Sequence, residues 1–186
     1  MERFLEYFKP ERYVLNISID KYEKTIGGSV VICGEVLNEV VKFHAVGLKI
    51  SDVLVNDEKH EFKADGEVLE IFNVETSEAE IKIYYHGQLN ENMQGAYLST
   101  YDYKGQKEII VATQFESHYA REAFPCIDEP AAKAVFEVSI SVPEKSEDLI
   151  LGNMPVKTVV KNTTVFEPTP KMSTYLLAFV IGRFHG

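Results

Sequence analysis

The chain has no tryptophan, only two cysteines and no apolar stretch long enough to cross a membrane. Cys33 and Cys126 are too few for a disulfide framework and lack the spacing of metal-binding cysteines. The longest apolar run, 175–181, has the length of a buried strand. Residues 1–13 lack the long apolar core of a signal peptide. These absences predict a cytoplasmic protein with reduced thiols and no membrane contact.

Positive charge is also scarce. The chain has 19 Lys and Arg residues against 29 Asp and Glu, for a formal net charge of −10. Binding to nucleic acid needs Lys and Arg concentrated in a patch or stripe, and the lysines here are scattered. The composition therefore excludes a nucleic-acid partner, and the acidic surface favours solubility.

Histidine is infrequent and shows no metal-ligand spacing. Zinc peptidases carry His-Glu-x-x-His on a helix, so that two histidines lie one turn apart. His60-Glu61 begins this pattern, but Ala64 stands where the second histidine is required. The sequence therefore predicts no metal ligands and no catalytic zinc residues within this chain.

Alternation of apolar and polar residues indicates β-strands throughout the chain. Three such runs are 13–19, 81–85 and 136–142, each with one apolar face. Turn-forming pairs separate the runs, and Asp65-Gly66 predicts a type I′ hairpin. We predict an all-β fold, a sandwich or saddle of antiparallel and mixed sheets, in one domain over residues 1–186.

The segment 113–136 interrupts this pattern with polar residues and prolines. We predict one or two short helical turns within 117–133: Ser117 caps His118–Glu122, and Asp128 caps Pro130–Lys133. The segment joins predicted strands 109–113 and 135–142. A final central strand is predicted at 175–181, and the sequence stops five residues later, as expected for part of a longer chain.

Several residues of this segment have both chemical and structural interpretations. Cys126 and His118 resemble a nucleophile and its base, but a buried thiol that fills space is favoured. The adjacent acids Asp128 and Glu129 point apart in a turn, which disfavours paired-carboxylate chemistry. We expect Arg121 to pair with one of these acids and to hold the two turns together.

Gln114 and Glu116 form a different kind of pair. If the strand continues to this point, Phe115 points one way and both polar side chains point the other. A carboxylate beside an amide can hold a ligand ammonium, and one such contact at 4 Å is worth roughly 4 kcal/mol before desolvation. From the residues alone, solvated strand-end side chains remain the alternative interpretation.

The segment TQFESHYAREAFPCIDEPAAKAVF, residues 113–136, closely resembles one in the N-terminal domain of the aminopeptidase N family of zinc metallopeptidases. The resemblance extends to Met-x-Gly-x-Tyr at 93–97, to Gly-Asn-x-Pro at 152–155 and to the strand pair of 168–182. The matches run in family order over nearly the whole chain. The residues of these motifs are most similar to those of cytoplasmic bacterial members.

The resemblance implies that this chain is the N-terminal domain of a larger enzyme that removes N-terminal amino acids from peptides. Glu116 would bind the free α-amino group of the substrate, and Gln114 would line the pocket for the first side chain. The zinc ion and its ligands would belong to a catalytic domain that is absent here. The fragment alone is therefore expected to bind no zinc and to be inactive.

The alternative to the enzyme interpretation is a non-catalytic β-sandwich binding or adaptor module that shares the fold. If the enzyme interpretation is right, an apolar patch should be exposed around residues 113–130, where the catalytic domain would dock.

Overall fold

The structure is a computed structural model that describes residues 1–184. It contains 15 strands and three 3₁₀ helices among these residues. The strands are β1 (Phe8–Asp20), β2 (Thr25–Val36), β3 (Val41–His44), β4 (Leu48–Val55), β5 (Glu58–Lys59), β6 (Phe62–Asp65), β7 (Val68–Ile71), β8 (Glu78–Gln88), β9 (Gly95–Tyr103), β10 (Gln106–Gln114), β11 (Val135–Ser141), β12 (Leu149–Gly152), β13 (Val156–Val160), β14 (Thr163–Phe166) and β15 (Phe179–Gly182). The 3₁₀ helices are Phe4–Glu6, Ala120–Glu122 and Thr174–Leu176.

Three sheets form the fold. The largest has eight strands in the order β13-β14-β11-β1-β2-β8-β4-β5. It is a mixed sheet, because β1 and β11 pair in parallel while the other neighbouring strands of the sheet pair antiparallel. A four-stranded sheet has the order β12-β15-β10-β9, and a three-stranded sheet the order β3-β7-β6. The predicted all-β fold with antiparallel and mixed sheets is confirmed.

The predicted alternation places the core. The apolar faces of all three runs are buried, with Tyr13, Ile81 and Phe136 fully inaccessible to solvent. Fully burying a side chain of this size contributes about 1.5–3 kcal/mol. The Tyr13 and Phe136 rings stack with their centroids 4.8 Å apart, across the parallel register of β1 and β11.

A buried ion pair ties the eight-stranded sheet to the four-stranded sheet. Lys21 follows β1, and its Nζ lies 2.6 Å from an Asp148 oxygen just before β12, with both side chains 5% exposed. The same Nζ donates to the Ile109 carbonyl of β10 at 3.0 Å. Because the lysine has partners from both strands, the pair fixes the position of one sheet against the other.

The hairpin predicted at Asp65-Gly66 exists but is displaced by one residue. Asp65 pairs with Val68, so the two turn residues are Gly66 and Glu67. Only Gly66 of these has a positive φ, +61°. A single positive φ at the first turn position is the type II′ pattern, so the predicted type I′ turn is wrong.

The last strand begins later than predicted. The run 175–181 starts within the 3₁₀ helix Thr174–Leu176, and β15 begins only at Phe179. The Asn153 amide donates to the Leu176 carbonyl at 2.9 Å and accepts from the Ala178 N–H at 2.8 Å. These bonds satisfy backbone groups outside the sheet and hold the irregular segment in place. Its position between β12 and β10 agrees with the central strand predicted.

Candidate functional site

Gln114 and Glu116 both lie exposed at one end of the four-stranded sheet. Gln114 is the last residue of β10 and pairs with Gly95 of β9. Phe115 between them is 1% exposed and packs edge-on against Phe124 and Phe179, with centroids 6.1 and 6.4 Å away. The strand itself ends at Gln114, so the polar-out, apolar-in alternation continues one step into the following turn.

Glu116 occupies the first position of that turn. The Tyr119 N–H donates to the Phe115 carbonyl at 3.0 Å and closes the turn, in which the Glu116–Ser117 peptide bond is cis. Within residues 1–184, no side chain forms a hydrogen bond or ion pair with the Glu116 carboxylate. The carboxylate therefore faces solvent with its acceptor capacity free for a ligand.

The helical part of the segment differs from the prediction in its caps. The 3₁₀ helix Ala120–Glu122 is preceded by Tyr119, which makes no side-chain capping bond. Ser117 instead forms a hydrogen bond with the Nδ1 atom of His118, at 2.8 Å. The predicted cap at Ser117 is wrong, because the chain forms a turn over 116–119 before the helix begins.

Asp128 joins two parts of the fold rather than capping a helical turn. Its Oδ2 atom accepts from Arg121 Nε at 3.0 Å and its Oδ1 atom from Thr174 Oγ1 at 2.7 Å. The side chain is 1% exposed, against 15% for Arg121. The expected pairing of Arg121 with an acid is confirmed. The second helical turn is reduced to a two-residue turn at 130–131.

Cys126 and His118 do not meet as a catalytic pair. Cys126 is fully buried, and burial raises the pKa of its thiol well above the usual value. A thiol of this kind is a poor nucleophile. His118 is exposed and bonded to Ser117. The interpretation of Cys126 as a buried, space-filling thiol therefore agrees with the structure.

His44 is the histidine that contacts Cys126, through the backbone. The His44 N–H donates to the Cys126 carbonyl at 2.7 Å, and the ring Nδ1 accepts from the Asp128 N–H at 3.0 Å. The ring stacks on Phe4 with centroids 4.1 Å apart. Burial, assisted by the charge of Arg121, lowers the pKa of His44 from 6.5 to about 4. The ring is therefore neutral at pH 7.

This depressed pKa predicts acid sensitivity. As the pH falls, His44 is protonated near pH 6.5 in the unfolded chain and only near pH 4 in the folded chain. The contribution of His44 to the free energy of unfolding is therefore fully present above pH 6.5 and is lost as the pH falls towards 4. His44 should contribute a loss of about 2 kcal/mol between pH 7.5 and 5. Urea denaturation at both values should show that His44→Asn reduces the pH dependence by this amount.

The control for this experiment is His86→Asn, which changes an exposed histidine. It should retain the pH dependence of the parent. An equal pH dependence in His44→Asn and the parent would contradict the assignment to His44.

The apolar patch predicted around 113–130 is absent there. The exposed residues of that segment are Gln114, Glu116, Ser117, His118 and Pro130, because its apolar side chains are used in the core. Exposed apolar side chains lie instead on the neighbouring outer face of the four-stranded sheet, where Leu149 and Leu151 are 56% and 52% exposed. One row across this face consists of Leu151, Val180, Ala112 and Tyr97. Gln114 lies on the same face, two residues beyond Ala112.

Residues 1–184 contain no group of three or more His, Cys, Asp or Glu side chains placed to hold a metal ion. The part of the chain that the structure describes therefore does not fit a zinc centre. No helix in these residues is both long and apolar enough to cross a bilayer.

The motif segments of the sequence point to one class of protein, and the comparison with known families agrees. Residues 9–176 match the family model of the peptidase M1 N-terminal domain, and the chain belongs to this family. It is 44% identical over 192 residues to aminopeptidase N of Lactococcus lactis subsp. lactis, which covers 99% of this chain and 22% of that protein. It is 38% identical over 186 residues to aminopeptidase N of Lactobacillus helveticus, covering 98% and 22%. It is 34% identical over 206 residues to aminopeptidase M1 of Arabidopsis thaliana, covering 98% and 23%.

The resemblance to the aminopeptidase N family is thereby confirmed. The chain spans about a fifth of the length of the curated relatives it matches. The sequence predicted Gln114 and Glu116 as substrate-binding residues, and this role stays a prediction. It did not single out Asn90 and Gln94, whose side chains donate hydrogen bonds to Glu122 and Tyr119 just after Glu116. The Met-x-Gly-x-Tyr resemblance at 93–97 covers part of this loop but assigned it no role.

Proposed function

We propose that this chain is the N-terminal, substrate-anchoring domain of a zinc aminopeptidase that removes N-terminal amino acids from peptides. The observation that carries the proposal is the exposed Glu116 carboxylate, free of partners among residues 1–184 and held at the rim by the buried Phe115. The names of the similar proteins support the same activity.

The chemistry of chain-end recognition explains why a carboxylate is suited to this position. A peptide N-terminus carries an ammonium that internal peptide bonds lack. A carboxylate 4 Å from that ammonium gains roughly 4 kcal/mol at an effective dielectric of about 20, before desolvation. Glu116 binds the ammonium and fixes the position of the first residue, which orients the bond to be cleaved. The Gln114 amide contacts the same residue from the end of β10.

The chain supplies binding rather than bond cleavage. The metal and the groups that activate water belong, in this proposal, to the remainder of the full-length protein. The outer face of the four-stranded sheet, with exposed Leu149 and Leu151, is the surface on which that catalytic part packs. Since Gln114 lies on this face, the packing places Gln114 and Glu116 beside the catalytic centre.

The test compares free and blocked N-termini. The full-length protein should hydrolyse aminoacyl p-nitroanilides about 100-fold faster, in kcat/KM, than their N-acetylated counterparts. A chelator should abolish this activity, and residues 1–186 alone should show none. Absence of activity in the full-length protein, as expected for an adaptor module, or equal rates for acetylated substrates would overturn the proposal.

A further inference from the structure

The loop between β8 and β9 makes two side-chain hydrogen bonds, one to the turn that carries Glu116 and one to the 3₁₀ helix that follows it. The Asn90 Nδ2 atom donates to the Glu122 Oε2 atom at 2.7 Å, and we call this contact the Asn90–Glu122 clasp. The Gln94 Nε2 atom donates to the Tyr119 hydroxyl at 3.1 Å. Tyr119 closes the turn and Glu122 ends the 3₁₀ helix that follows it. Both bonds thus reach the chain just after Glu116.

Asn90 itself is held rigidly. Its N–H donates to the Ala96 carbonyl and its carbonyl accepts from the Leu98 N–H, both at 2.8 Å. Its side chain donates a second bond to the Gln94 carbonyl, also at 2.8 Å. Asn90 is therefore fixed to β9 on the backbone side, and the clasp transmits this fixed position to Glu122.

Gly95 shows that the clasp needs a close approach. Gly95 has a φ of +65°, and a Cβ added to it would lie 2.8 Å from Glu122 Oε2 and 2.9 Å from Asn90 Nδ2. Any larger residue would displace the two clasp atoms. Gly95 is also the register partner of Gln114. Gly95 therefore lies next to the chain on both sides of Glu116, beside Gln114 before it and beside Glu122 after it.

We propose that Asn90 and Glu122 are positioning residues, which hold the Glu116 carboxylate where it binds the substrate's α-amino group. This inference rests on the proposed function. Before Glu116, the turn is fixed by the pairing of Gln114 with Gly95 and by the buried ring of Phe115. After Glu116, residues 117 and 118 are exposed, and the next fixed points are the two hydrogen bonds of Tyr119, the buried Ala120 and then the clasp at Glu122. Without the clasp, the carboxylate samples more positions in the free protein, so binding a ligand costs more conformational entropy.

The experiment measures a ratio in the full-length protein: kcat/KM for an aminoacyl p-nitroanilide divided by kcat/KM for its des-amino analogue. This ratio does not depend on the amount of folded enzyme, so a loss of stability alone leaves it unchanged. We expect Glu122→Ala and Asn90→Ala each to lower the ratio about 10-fold. Glu122→Gln should restore it, because the carboxamide oxygen still accepts from Asn90.

The matched control is Glu91→Ala. Glu91 lies in the same loop and pairs with Lys24 at the surface, and its loss should leave the ratio unchanged. Glu116→Gln serves as the reference. If Glu116→Gln lowers the ratio while Glu122→Ala does not, the positioning role is overturned and the proposed function stands. If Glu116→Gln has no effect, both fail. A ratio that stays low in Glu122→Gln would show that Glu122 acts by its charge and would also overturn the positioning role.

Discussion

Replacing Glu116 with Gln in the full-length protein should lower kcat/KM for aminoacyl substrates by about 10²- to 10³-fold. The carboxamide keeps the shape of the side chain but removes the charge that attracts the substrate ammonium. The loss corresponds to about 3–4 kcal/mol, close to the roughly 4 kcal/mol of one ion contact at 4 Å. Because the side chain is exposed and free of partners among residues 1–184, the substitution should not affect folding.

Steady-state kinetics with free-amine and des-amino substrates check this expectation. Only the free-amine substrate should lose its advantage, so the two kcat/KM values should approach each other. Glu11→Gln, which neutralises an exposed carboxylate on β1, is the control for a general charge effect and should behave like the parent. An unchanged preference in Glu116→Gln would show that the ammonium is bound elsewhere.

Asp128→Ala should destabilise the isolated domain by about 3–5 kcal/mol. The substitution removes the acceptor for Arg121 Nε and for Thr174 Oγ1 and leaves a largely buried guanidinium without its anion. Breaking a buried ion pair by removing one partner costs this much because the remaining charge stays desolvated. The melting temperature should fall by about 10 °C for a domain of this size.

The comparison variant is Glu137→Ala, which removes an ion pair with Arg12 at 3.2 Å on the open face of the large sheet. Exposed pairs of this kind contribute at most about 1 kcal/mol. Urea denaturation of the parent and both variants separates the two cases. A similar, small loss in Asp128→Ala and Glu137→Ala would mean that the buried contact with Arg121 is not important for stability.

The strands could be predicted wherever one face is buried. Alternation in 13–19 and 136–142 has only one interpretation, since a shift by one residue would expose the whole apolar set. The run 175–181 is apolar on both faces, so its pattern does not show where the strand begins. Its start depends on the two hydrogen bonds of Asn153, which is more than twenty residues away in the sequence.

In the candidate site, too, some features follow a local sequence pattern and others depend on contacts between distant residues. The large apolar residue between Gln114 and Glu116 predicted that the two polar side chains share a face, but their role in substrate binding was implied only by the family resemblance and stays a prediction. The cap predicted at Asp128 is wrong, although the expected pairing of Arg121 with an acid is confirmed, because a local cap and a partner elsewhere in the chain require the same residue type. The Asn90–Glu122 clasp joins residues 32 positions apart. No local pattern indicates such a contact, which depends on how the loop before β9 lies against the turn after β10.

The burial of Phe115 between two exposed neighbours sets a rule for changes in this segment. Substitutions at Gln114 or Glu116 can alter ligand preference while the backbone path stays the same. Inserting or deleting one residue between Val111 and Phe115 would instead turn an aromatic ring outward and drive a carboxylate into the core. Variation in this segment is therefore expected in residue identity, with its length kept constant.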